Sequence, residues 1–169
     1  MACPPFPFRA SPRRRRFAPM NQIAHLLDTR NIALDLDVPS KARLFDAAGE
    51  LFTSAGLDAA SIAGSLAARE KLGSTGLGQG IAIPHGRIKG LKEARGAFIR
   101  LREPVAFDAP DGKPVSQVFV LLVPEQATDL HLQLLSELAQ MFSERAFRER
   151  LVTAKDPDEL LALFRAWEP

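Results

Sequence analysis

Apolar residues first recur at helical spacing after Ser40. Leu44, Phe45, Ala48, Leu51, Phe52 and Ala55 fall at i, i+1, i+4, i+7, i+8 and i+11, which is one face of a helix. Ser40, following Pro39, is the expected N-cap, and Gly56 the stop. Asp58 opens a second predicted helix with Ile62 and Leu66 inward, ending before Gly73. The period then changes. Ile81-Ala82-Ile83 is a short apolar run stopped by Pro84. Residues 97–101 and 118–123 are nearly unbroken apolar runs rich in β-formers, which suits strands covered on both faces. Between them Asp111-Gly112 signals a turn, and the second strand, residues 117–123, ends at Pro124. Helical spacing returns with Leu134, Leu138, Met141 and Phe142, for which Asp129 is the predicted cap. Ser143 is expected to start a shorter helix. Asp156-Pro157-Asp158-Glu159 combines a cap, a proline at the first helical position and an acid at the third, resembling a capping box. Leu160, Leu161, Phe164 and Trp167 form the stripe of that last helix. The order predicts an α/β fold: helices, then a mixed β-sheet, then helices, in a single-domain sandwich with helices on both faces.

Composition narrows the class. A chain of 169 residues holds one domain with a sizeable core. Hydrophobic residues make up 46% and charged residues 25%, a globular balance. No apolar run approaches the ~20 residues of a membrane span. One cysteine, Cys3, excludes a disulfide framework and any cysteine-based zinc site, so a reducing cytoplasm is the expected compartment.

Charge divides the chain. The formal balance is +2, but residues 1–19 hold five arginines, five prolines and no acid. Without them 17 basic residues face 20 acidic ones, or −3, so the body gives no compositional case for nucleic-acid binding. The domain boundary is therefore expected at residues 19 and 20. Proline and the run Arg13 to Arg16 argue for disorder in 1–19. No apolar stretch follows the arginines, so the segment is not a secretory signal. It reads as a mis-assigned start ahead of Met20, a solvated extension, or a basic arm for nucleic acid or membrane.

The least ordinary stretch is residues 69–90, REKLGSTGLGQGIAIPHGRIKG, which carries six of the eleven glycines. It contains neither GxGxxG nor the P-loop pattern, so nucleotide binding is weakly supported. His85 follows the short apolar run and Pro84 and is flanked by Gly86 and Arg87, a setting expected to leave it exposed to a partner. Neutral imidazole is a nucleophile near pH 7; the plainer reading is a surface histidine bonded to its own loop. His131, two residues after Asp129, is expected in a helix's first turn, where the dipole favours an anion and neutral imidazole. The plainer alternative is a polar residue at a helix start. Arg69, just before the glycines, has the reach and fork to hold phosphate oxygens; alone it is a cation at a helix end. His25 has no such context. Three histidines at these spacings do not make a metal site, and no nucleophile elbow is present.

The run GSTGLGQGIAIPHG, preceded by REKL and followed by RIKGL, resembles the signature of phosphotransferase-system enzyme IIA domains of the fructose–mannitol type, and among them the nitrogen-regulatory kind. PVAFDAPDGKPV, VFVLLVP and HLQLLSELA extend the likeness over nearly the whole body, residues 22–167. The resemblance implies the mannitol-type IIA fold. It implies phosphoryl transfer from a phosphohistidine on a small histidine-containing phosphocarrier protein to His85, with His131 and Arg69 stabilising the group and amides of the glycine loop assisting. It implies no cofactor and no metal, since donors and cations come from protein. The expected role is regulatory: phosphorylation state sets binding to target proteins such as kinases, transporters or enzymes. The alternatives are a stand-alone sugar-specific IIA component that passes the group to a IIB domain, and a nucleic-acid-associated protein acting through Arg13 to Arg16.

Overall fold

A computed structural model describes residues 21–169. The expectations for residues 1–19, Cys3 included, lie outside the described residues. The chain runs α1 (Gln22–Leu26), β1 (Ile32–Leu36), α2 (Lys41–Glu50), α3 (Ala59–Glu70), β2 (Gly76–Gly78), β3 (Ile81–Ala82), β4 (His85–Ile88), β5 (Arg95–Val105), β6 (Val115–Pro124), α4 (Thr128–Ser143), α5 (Arg145–Thr153) and α6 (Pro157–Ala166).

The sheet is mixed, in the order β1-β5-β6-β3-β2, with β4 also paired to β6. β6 is the axis. It runs antiparallel to β5, from Arg95 opposite Leu122 to Val105 opposite Val115. Its other edge is shared by two short parallel strands: β3 faces Gln117 and Val118, and β4 faces residues 121–124. Pro84 makes the break between them, and its carbonyl still accepts the Leu121 N–H at 3.0 Å.

Alternation along the strands sends side chains to two cores. Ile81, Ile83, Phe98, Phe119, Leu121 and Val123 meet α1, α4, α5 and α6 on one face. Ala82, Ala97, Ile99, Val118, Val120 and Leu122 meet α2 and α3 on the other. The unbroken apolar runs of β5 and β6 follow from this double cover, as predicted.

The caps at Ser40, Asp58 and Asp156 are present. Ser40 Oγ accepts from Arg43 N at 3.3 Å, Asp58 Oδ2 from Ser61 N at 3.0 Å, and Asp156 Oδ1 from Glu159 N at 2.7 Å. Glu159 reaches back to the N–H of Lys155 rather than to that of the cap.

Several expectations need correction. The first strand precedes α2, so the order is not helices first: α1 and β1 went unpredicted. Five residues are too few to display a helical period, and β1 is an edge strand whose register shifts around Asp35, at φ 54°. α2 stops at Glu50 and gives way to a 3₁₀ turn, Thr53–Ala55, before Gly56 at φ 78°. Asp129 is not a cap. α4 begins at Thr128 after Ala127, with no side chain capping it, and Asp129 lies in its first turn. Ser143 ends α4 rather than starting α5, its hydroxyl donating to the Gln140 carbonyl at 2.6 Å.

Candidate functional site

The register of β4 against β6 builds the site. His85 lies beside Leu121, Gly86 beside Leu122 and Arg87 beside Val123. His85 and Arg87 thus point to the α4 face, and Gly86 faces α3. A Cβ on Gly86 would stand 2.5 Å from Ser65 Oγ, so a side chain there would force that hydroxyl of α3 to move.

His85 is not the exposed loop residue expected. It is the first residue of a strand and only 9% exposed, because the two-residue gap after Ala82 lets the chain rejoin β6 at once. Its Nδ1 lies 2.8 Å from the Ile83 carbonyl. A carbonyl oxygen only accepts, so that contact assigns the proton to Nδ1 and leaves the Nε2 lone pair free. Burial holds the pKa of His85 below its ordinary value. The Ile83 bond opposes this, and the Arg69 charge adds to the lowering.

His131 sits two residues further into α4 than predicted. It is the fourth residue of the helix, and its own N–H is bonded to the Ala127 carbonyl at 3.0 Å. Its ring meets that of His85 at a centroid distance of 5.0 Å and an angle of 68°. Its Nε2 is buried with no hydrogen-bond partner among the described residues. Burial, then the neighbouring His85, Arg87 and Arg69, push its pKa down to about 4. Both rings are therefore neutral at pH 7.

Arg69 is the penultimate residue of α3. Its guanidinium donates to the Gly73 carbonyl at 2.9 Å, holding the start of the glycine loop, and its charge acts on both histidines. The three predicted site residues are thus brought together. Three of the amides in the glycine loop are already bonded within it or to its neighbours. Thr75 N–H donates to Glu70, Gly76 N–H to Ser74 Oγ, and Gln79 N–H to Asp111 Oδ2. Gly78, Gln79 and Gly80 of the loop are all at positive φ.

Arg87 is the residue that sequence reasoning passed over. It is exposed, on the same face as His85, and its charge lowers the pKa of His131. Period-two alternation counted from His85 is the signal that finds it. Among the described residues no group of three metal-ligating side chains is present, and no helix is long and apolar enough to cross a membrane.

Residues 25–167 match the phosphoenolpyruvate-dependent sugar phosphotransferase system EIIA 2 family. The chain belongs to this family. It is 52% identical over 103 residues to a nitrogen regulatory protein of Pseudomonas aeruginosa, a match spanning 61% of this chain and 67% of the relative. The crystal structure of nitrogen regulatory protein IIA-Ntr from Neisseria meningitidis is 55% identical and superimposes with a TM-score of 0.81, covering 85% of this chain and 99% of that one. IIA mannitol from Escherichia coli is 26% identical with a TM-score of 0.69, covering 82% and 98%. The mixed sheet flanked by helices is the mannitol-type IIA fold, and the IIA family places the chain in phosphoryl transfer.

Proposed function

We propose that this IIA protein accepts a phosphoryl group on His85 Nε2 from a phosphohistidine of a phosphocarrier protein. The observation that carries this reading is the Nδ1–Ile83 contact, which leaves one unprotonated nitrogen on a histidine beside a second, neutral one. The lone pair of Nε2 attacks phosphorus in line as the bond from phosphorus to the carrier's nitrogen breaks. The carrier imidazole leaves with its electron pair, and no proton crosses. The cation that forms on the His85 ring is stabilised by the Ile83 carbonyl. The oxygens carry charge that needs donors. The partnerless Nε2 of His131 is supplied with one in its Nε2–H tautomer, and Arg69 adds positive charge; Arg87 joins them from the same face. The glycine loop's Thr75, Gly76 and Gln79 amides are left out of this cover.

The biological reading is regulation in the cytoplasm. The 55% likeness to a nitrogen regulatory IIA, against 26% to a mannitol IIA, supports a nitrogen-branch protein over a sugar-specific component. Phosphorylation adds about −2 charges beside Arg69 and Arg87 and so changes which protein surfaces the site tolerates. The test is incubation with phosphoenolpyruvate, the donor enzyme and each candidate carrier. An acid-labile adduct mapping to His85, absent from folded His85→Ala, is expected. Undiminished labelling of His85→Ala defeats the reading.

A further inference from the structure

Behind His85 lies a buried ionic group that the chemistry above does not use. Glu70, the last residue of α3, has its side chain only 6% exposed. One carboxylate oxygen takes Lys41 Nζ at 2.9 Å, and the other accepts from Thr75 Oγ1 at 2.6 Å and Thr75 N at 3.1 Å. A buried carboxylate of this kind is costly unless every lone pair is used, and here each oxygen is. Thr75 in turn holds Ile83: the Ile83 N–H donates to the Thr75 carbonyl at 3.0 Å. The Ile83 carbonyl then accepts from His85 Nδ1 at 2.8 Å. The hydrogen bonds therefore run without a gap from Glu70 through Thr75 and Ile83 to the imidazole.

The geometry points to Glu70, acting through Thr75, as the positioning residue that fixes the tautomer and the ring direction of His85. This rests on the phosphoryl-acceptor reading of His85 above. The physical argument is that one carbonyl decides which imidazole nitrogen is nucleophilic. That carbonyl belongs to Ile83, the residue before the Pro84 break, where β3 no longer holds the chain. Thr75 is what holds it instead, and Thr75 is pinned by Glu70. With the carboxylate gone, the 74–76 segment and Ile83 loosen together. The ring then samples the Nε2–H tautomer, which has no lone pair to offer at that nitrogen.

Two measurements test this: the ¹⁵N chemical shifts of the His85 ring in the unphosphorylated chain, and the initial rate of adduct formation. Glu70→Ala is expected to move part of the ring population to the Nε2–H tautomer. It is also expected to slow transfer about tenfold, the low end of what partners behind a positioned histidine carry. Glu70→Gln keeps an oxygen for Thr75 and should recover both readouts. Thr75→Val preserves shape but loses the hydroxyl, and should show a smaller shift in the same direction. A Glu70→Ala chain that melts earlier yet keeps wild-type ring shifts and rate overturns the proposal. If Glu70→Ala does not fold, wild-type shifts and rate in Thr75→Val overturn it equally. A wild-type chain that takes no phosphoryl group at His85 defeats the acceptor reading alone, because the ring shifts still decide the role of Glu70.

Discussion

On the α4 side of the sheet, five phenylalanines meet ring to ring. Phe98, Phe119, Phe142, Phe147 and Phe164 pack at centroid distances of 5.3–6.5 Å. At the β4 end of the same face the imidazoles of His85 and His131 stand 5.0 Å apart. On the α2–α3 side, spacing at β4 is set instead by a missing side chain, since Gly86 admits Ser65 of α3. Bulk on one face and its absence on the other flank the same sheet. The rings pack α4, α5 and α6 against this face, and on the other Gly86 leaves room for Ser65.

The most direct way to break the aromatic side is Phe164→Ala. Phe164 is fully buried and touches the other four rings. Its loss should cost about 3–5 kcal/mol in urea unfolding. His131→Ala removes the second imidazole at the edge of that side. It should leave the adduct on His85 but slow its formation by about 100-fold, the lower range for one lost donor to a transition-state oxygen. His131→Gln should recover part of the rate, since an amide donates without titrating. An adduct mapping to His131, or a wild-type rate in His131→Ala, contradicts the assignment.

The opposite side is sharpened by Gly86→Ala, which overpacks against Ser65 and should cost about 1–3 kcal/mol. Ser65→Ala in the same chain should return most of it, because the clashing atom is the hydroxyl oxygen. A double-mutant cycle reads the coupling. The smallest effect is on pH. His131 has a pKa of about 4 in the fold against an ordinary 6.5. The unfolded chain therefore binds more protons between those values. The stability this group contributes is complete above pH 6.5 and is lost as pH falls towards 4. Urea midpoints across that window should fall less steeply in His131→Gln.

The two sides were unequally legible in the sequence. The runs of β5 and β6, and the caps Ser40, Asp58 and Asp156, declare themselves because burial on both faces and local capping leave local traces. α1 and β1 leave none: one is too short for a period, and the other is an edge strand bent at Asp35. Asp129 and Ser143 have capping chemistry, but α4 and α5 both start without a side-chain cap. At the site, the glycines and prolines around His85 look like a loop. What makes the segment a strand is β6, more than 30 residues later in the chain. Arg87 becomes visible only once that strand is known.

The break at Pro84 has a consequence for regiochemistry. A histidine in free solution offers two ring nitrogens to an electrophile and yields a mixture of isomers. Here the chain runs on along β6 through the break, Ile83 O covers Nδ1 at 2.8 Å, and the fold works as a protecting group. A phosphoryl donor or an acylating reagent that reaches this ring meets Nε2 alone and yields one isomer, whose stability towards hydrolysis and recognition by a second protein are those of that isomer.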